Sequence, residues 1–133
     1  MRALLLLIVV PLLAGSRPAL ARHQAGFCDV PLAADAFGHK EFIDMGNHFQ
    51  VRNVRIAPHS DGVVVAGEIY NGKQGFFTPP LFKVQLFDRD CTYLGGNNFS
   101  IDKFKFATIR PFQVIVPRVE FTVVGTYHIE FLP

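Results

Sequence analysis

Alternation of apolar and polar residues, rather than a helical period, organises this chain from residue 48 onward. In "HFQVRNVRIAP", Phe49 and Val51 lie two apart, as do Val54 and Ile56, but the phase slips by one residue between the pairs. A one-residue slip turns a strand's apolar set to the opposite face unless an extra residue is absorbed, so a β-bulge is expected near Arg52–Asn53. "HSDG", 59–62, reads as a turn. In "VVVAGEIYN", Val63, Val65, Gly67 and Ile69 share one face, and Glu68 marks the other as outward. A glycine on the inner face predicts close approach by a neighbouring backbone or a large phenylalanine. Asn71-Gly72 then signals a turn.

The run "LFKVQLFD" sets Phe82, Val84 and Leu86 against Lys83, Gln85 and Phe87, the pattern of a half-buried strand. "CTYLGGNNFSI" is a weaker strand, interrupted at Gly95 to Asn98. "RPFQVIVP" alternates Phe112, Val114 and Val116 against Gln113 and Ile115. "VGTYHIEFLP" alternates Tyr127, Ile129 and Phe131 against Thr126, His128 and Glu130. Six or seven short strands with turn signals between them predict an all-β fold: an antiparallel two-sheet sandwich over residues 48–133. Fourteen phenylalanines and no tryptophan suit a phenyl-packed interior, because Phe needs no polar partner when buried.

Ahead of this domain the pattern is different. Residues 22–47 show no sustained period of two and read as an irregular arm, with a helical turn at Ala33–Phe37 ended by Gly38. Residues 1–21 carry Arg2, an apolar run from Ala3 to Ala14, and Ala19-Leu20-Ala21, the features of a secretory leader cleaved after Ala21. The apolar run is shorter than the roughly 20 residues of a spanning helix, although a retained anchor is the alternative. An exported, periplasmic or secreted protein is expected.

Losing the leader changes the charge. The formal +2 includes Arg2 and Arg17, whose removal leaves the basic residues equal in number to the 11 acidic ones. A neutral chain has no general attraction to phosphate backbones or anionic lipid, so neither nucleic acid nor a membrane is an expected partner. "KFK", 103–105, is the nearest approach to a basic-aromatic patch and reads as a solvated strand face or turn.

Candidate chemistry centres on "DRDCTYLGG". A thiol nucleophile at Cys91 would need a histidine base, and nothing in the spacing of the five histidines suggests one. Asp88 and Asp90 have the spacing of calcium-loop carboxylates but lack the remaining oxygen ligands of such loops. The simpler reading is a turn in which both aspartates accept backbone N–H groups. In an exported chain with two cysteines, Cys28 and Cys91 are expected to form a disulfide that staples the arm to the sheet. No catalytic residue, metal ligand or cofactor is expected. Phe76 and Phe77, beside Pro79 and Pro80, form a candidate interaction patch if their rings are exposed.

The strand ending "GEIYN" (67–71), then "VQLFD" (84–88), "LGG" (94–96) and "RPFQVIVP" (110–117), resembles in its order the FxLYD-domain family of exported or membrane-anchored bacterial sandwich domains. The residues that carry the resemblance are Gly67, Glu68, Ile69 and Asn71, then Leu86, Phe87 and Asp88, then Pro111 and Phe112; Val84 stands where the family motif has Phe. The resemblance implies an immunoglobulin-like fold and an interaction role, and it brings no catalytic residues. A non-enzymatic domain that binds an envelope protein or its own copy is the leading expectation. A small periplasmic metal- or ligand-binding protein is the alternative.

Overall fold

The computed structural model describes residues 37–75 and 78–133. Seven strands run in the order β1 (Ile43–Gly46), β2 (Phe49–His59), β3 (Gly62–Asn71), β4 (Leu81–Phe87), β5 (Tyr93–Ser100), β6 (Thr108–Pro117) and β7 (Thr126–Leu132), with a 3₁₀ turn at Phe121–Val123 before the last. They form two antiparallel sheets, β1-β2-β3-β6 and β5-β4-β7. By pairing, β2-β3-β6 correspond to strands A-B-E of an immunoglobulin-like sandwich, and β5-β4-β7 to C′-C-F. The fold is therefore the expected one.

The alternating residues make the core. Val63, Val65 and Ile69 of β3, Phe112, Val114 and Val116 of β6, and Phe82, Val84 and Leu86 of β4 are all buried. Phenyl rings run through the middle. Phe49 meets Phe82 edge-on at 5.0 Å, Phe82 stacks on Phe99 at 5.3 Å, and Phe99 stacks on Phe112 at 4.8 Å. Contacts of this kind contribute about 0.5–1.5 kcal/mol each beyond the area they bury.

The bulge falls where the phase slip put it. Pairing between β2 and β3 is irregular between Arg52 and Arg55, so Val51 and Val54 both point inward. Asn53, at φ 54°, is the residue that absorbs the slip. Gly67 lies under the ring of Phe112, as a glycine on an inner face implied.

Three local expectations need correction. The arm is not wholly irregular, because Ile43–Gly46 pairs with β2 as a fourth strand of that sheet. Only Phe37 of the expected helical turn is described; the remainder lies outside the described residues. β5 runs unbroken through Gly95 and Gly96. Those glycines are there for space: a Cβ would stand 2.8 Å from Val119 Cγ2 at position 95, and 2.7 Å from Val84 O at position 96. Finally, Phe87 is buried although it keeps the phase opposite Leu86: it lies outside the core cluster, where its ring packs on Tyr93 at 5.8 Å and it faces the buried Thr126 of β7.

A candidate binding groove at one end of the sandwich

Two loops meet at the Asn71 end of β3. One links β3 to β4 and crosses from sheet to sheet; the other links β5 to β6 and crosses back. Asn71 ties them together. It is fully buried, its Nδ2 donates to Phe104 O at 2.9 Å, and its Oδ1 accepts from Lys73 N at 2.7 Å. Its own carbonyl accepts from Ala107 N at 2.7 Å. A buried amide with every polar group used holds loop geometry firmly, because breaking any one bond strands a polar atom.

The loops enclose a groove of about 690 Å³ lined by Lys73, Gly75, Thr78, Pro79, Pro80 and Asp102 through Phe106. "KFK" is a turn here, and its middle residue explains the geometry. Phe104 is buried against Phe49 at 6.2 Å, and this inward anchor leaves Lys103 and Lys105 exposed on either side. Phe106 is 49% exposed at the rim. Lys73 Nζ sits over the ring of Phe131 at 5.0 Å. Thr108 Oγ1 donates to Lys105 O at 2.6 Å and fixes where the loop enters β6.

Of the expected interaction patch, Pro79 and Pro80 line this groove, with Pro80 buried and Pro79 exposed. Phe76 and Phe77 lie outside the described residues. Lys73, Lys103, Lys105 and Phe106 were not singled out as a site. Their joint signal is absent from the sequence, because two inter-strand loops, about thirty residues apart at the extremes, supply the lining together.

The acidic, thiol-bearing corner lies at the end of β4 and is a turn. Asp88 Oδ1 accepts from Asp90 N at 2.9 Å and from Thr92 N at 2.8 Å, while Asp88 N donates to Thr92 O. The carboxylate of Asp90 does not share this role; only its backbone takes part. Cys91 follows at φ 66° and is not a free thiol. A cysteine without a free thiol is no nucleophile. Cys28 lies outside the described residues.

The remaining family-type residues each hold structure. Glu68 Oε2 accepts from Arg52 Nε at 2.6 Å and from Asn53 Nδ2 at 3.3 Å, bracing the bulge from the facing strand. The Arg52 hydrogen bond holds the Glu68 carboxyl below its ordinary pKa, against the opposing effect of partial burial. Pro111 faces Glu68 on β6, an edge strand, where a missing N–H is tolerated. Leu86 is fully buried in β4. Among the histidines, His128 lies on the outward phase of β7 with Nε2 3.7 Å from Glu130 Oε2, and His59 Nδ1 accepts from Asp61 N. Among the described residues no three His, Cys, Asp or Glu side chains are placed to hold a metal ion. No family model, curated protein or solved structure matches this chain.

Proposed function

We propose that the protein is an exported, non-enzymatic sandwich domain that acts by binding another envelope protein through the loop groove beside Asn71. The observation that carries this reading is the groove itself: a concave surface of about 690 Å³ with an apolar floor, a charged rim and loops held by a buried side chain. Binding sites combine those features, since apolar area supplies affinity and a few placed polar groups supply orientation.

Two further proposals belong to the same reading. Residues 1–21 act as a cleaved leader, supported by Arg2, the Ala3–Ala14 run and Ala19-Leu20-Ala21. Cys91 pairs with Cys28, the chain's other cysteine, supported by the loss of its free thiol and by an oxidising destination. Kinship with FxLYD domains is a proposal of the same standing. It is supported by the separate structural tasks of Gly67, Glu68 and Asn71 (room for Phe112, bracing of the bulge, and tethering of the loops).

Site-specific photocrosslinking in the native envelope tests the binding reading. A photoreactive residue at Phe106 should capture one discrete protein, whereas the same group at Arg118, in the turn at the opposite end of the sandwich, should not. Equal capture from both positions, or none from Phe106, would remove the groove from consideration. A stoichiometric metal in the purified mature protein would favour the carrier alternative.

A further inference from the structure

The groove has a chemical bias that the chain as a whole lacks. Three of the five lysines in the sequence, Lys73, Lys103 and Lys105, line it, against one carboxylate, Asp102. Arg110, outside that lining, donates from Nη1 to Asp102 O at 3.2 Å. Neither Lys103 nor Lys105 forms an ion pair with a described residue. Without the leader the chain is neutral, so this excess is local and not a by-product of a basic protein.

The apolar component is equally placed. Phe106 is half-exposed and Pro79 exposed in the same lining, while Phe104 and Pro80 are buried beneath it. Lys103 and Ala107 hold left-handed backbone angles of 52° and 60°, so the loop that presents the lysines is already bent into shape. Such a bend is kept only where the surroundings determine it, here by Asn71 and by Phe104.

We propose that the groove receives an acidic segment of a partner protein, whose carboxylates face Lys103 and Lys105 while an aromatic side chain enters between Pro79 and Phe106. This deepens the binding reading above and rests on it. A discrete peptide fits better than an anionic membrane surface. The site is concave, and Asp102 stands among the lysines, where it repels a continuous negative sheet but is easily bypassed by separate carboxylates. Rim lysines exposed to solvent act chiefly on encounter and on selection between partners, so their effect is screened by salt.

The test is an NMR titration of the isotopically labelled mature protein with three short peptides, alternating phenylalanine with glutamate, glutamine or lysine. A parallel arm uses phosphatidylglycerol vesicles. The glutamate peptide should shift the amides of Lys73, Lys103, Lys105 and Phe106, and should bind about ten-fold more tightly than the glutamine peptide at low salt. That preference should shrink toward about 0.5 M salt, where the Debye length is only a few ångströms. It should vanish in Lys103→Glu/Lys105→Glu and weaken in Lys103→Gln/Lys105→Gln, with the dispersed β-sheet spectrum of both variants reporting that they fold. Equal binding of the glutamate and glutamine peptides would overturn the acidic preference while leaving groove binding intact. Absence of groove shifts with every peptide would overturn both, and vesicle binding without peptide binding would replace the peptide with a lipid surface.

Discussion

Phe112 occupies the space that a side chain at Gly67 would need: a Cβ there would lie 2.8 Å from Phe112 Cε1 and 3.2 Å from Arg52 O. The ring has little room to retreat, because its other face stacks on Phe99 at 4.8 Å. The Phe99–Phe112 stack joins the two sheets where β5 meets β6. Gly67→Ala should therefore destabilise by about 1–3 kcal/mol, an overpacking cost that exceeds the modest entropic gain of replacing glycine in a strand. Denaturant midpoints would measure it. Phe112→Leu should absorb part of that cost, so the double variant should lose less than the sum of the two single ones.

Asn71 offers a separate test at the other end of the same strand. Asn71→Ala strands Phe104 O and Lys73 N, and should cost about 1–3 kcal/mol. Asn71→Asp keeps the acceptor for Lys73 N but loses the donor to Phe104 O, so it should fail as well. Hydrogen exchange should show accelerated exchange at Lys73 in Asn71→Ala before it changes in the β4 core, since Asn71 Oδ1 is the acceptor for the Lys73 amide.

Acid sensitivity follows from Glu68. Its folded pKa is lowered from 4.5 by the Arg52 hydrogen bond, so its stabilising contribution is complete above that value and is lost as pH falls through the lower folded one. Glu68→Gln should flatten the acid limb of a plot of urea midpoint against pH. An acid limb unchanged by the substitution would assign the loss to other carboxylates.

The alkaline limb belongs to Tyr127, whose hydroxyl is pushed up to about 12 by burial, with Phe37 packed on its ring at 5.2 Å. Between pH 10.0 and about 12 the unfolded chain ionises this group and the folded chain does not, so stability falls as pH rises through that window. The loss should reach about 2 kcal/mol, and Tyr127→Phe should abolish it, as read by denaturation at pH 9 and at pH 11.5.

The proposed Cys28–Cys91 bridge predicts a non-reduced mature protein lighter by two hydrogens than the reduced form. The double replacement Cys28→Ser/Cys91→Ser should lower stability by as much as about 4 kcal/mol, the chain-entropy value for a loop of this length. Thiols that titrate in the unfolded, unreduced protein would rule the bridge out.

What could be read along the chain was whatever depends on neighbours two residues apart. The period of two in Phe82, Val84 and Leu86, and again in Phe112, Val114 and Val116, names an inward face without reference to any partner strand. The slip between Val51 and Val54 names a bulge in the same way, because face alternation is a local property of extended backbone. Asp88 could likewise be placed, since its carboxylate reaches only as far as Asp90 N and Thr92 N.

Local reading failed where the deciding contact came from a distant segment. Gly95 and Gly96 look like a strand break, yet Val119 and Val84 press close enough to require them inside β5. Ile43–Gly46 has no alternation to announce it, and pairs because β2 presents a free edge. The groove is the extreme case. Lys73 and Lys105 are separated by the whole of β4 and β5, and they share a site only because two sheet crossovers end at the same pole of the sandwich. Periodicity determined the layers of this protein, since a strand's two faces are set by its own backbone. The packing of the layers decided where their loops converge, because that depends on strand order, which no single stretch of sequence carries.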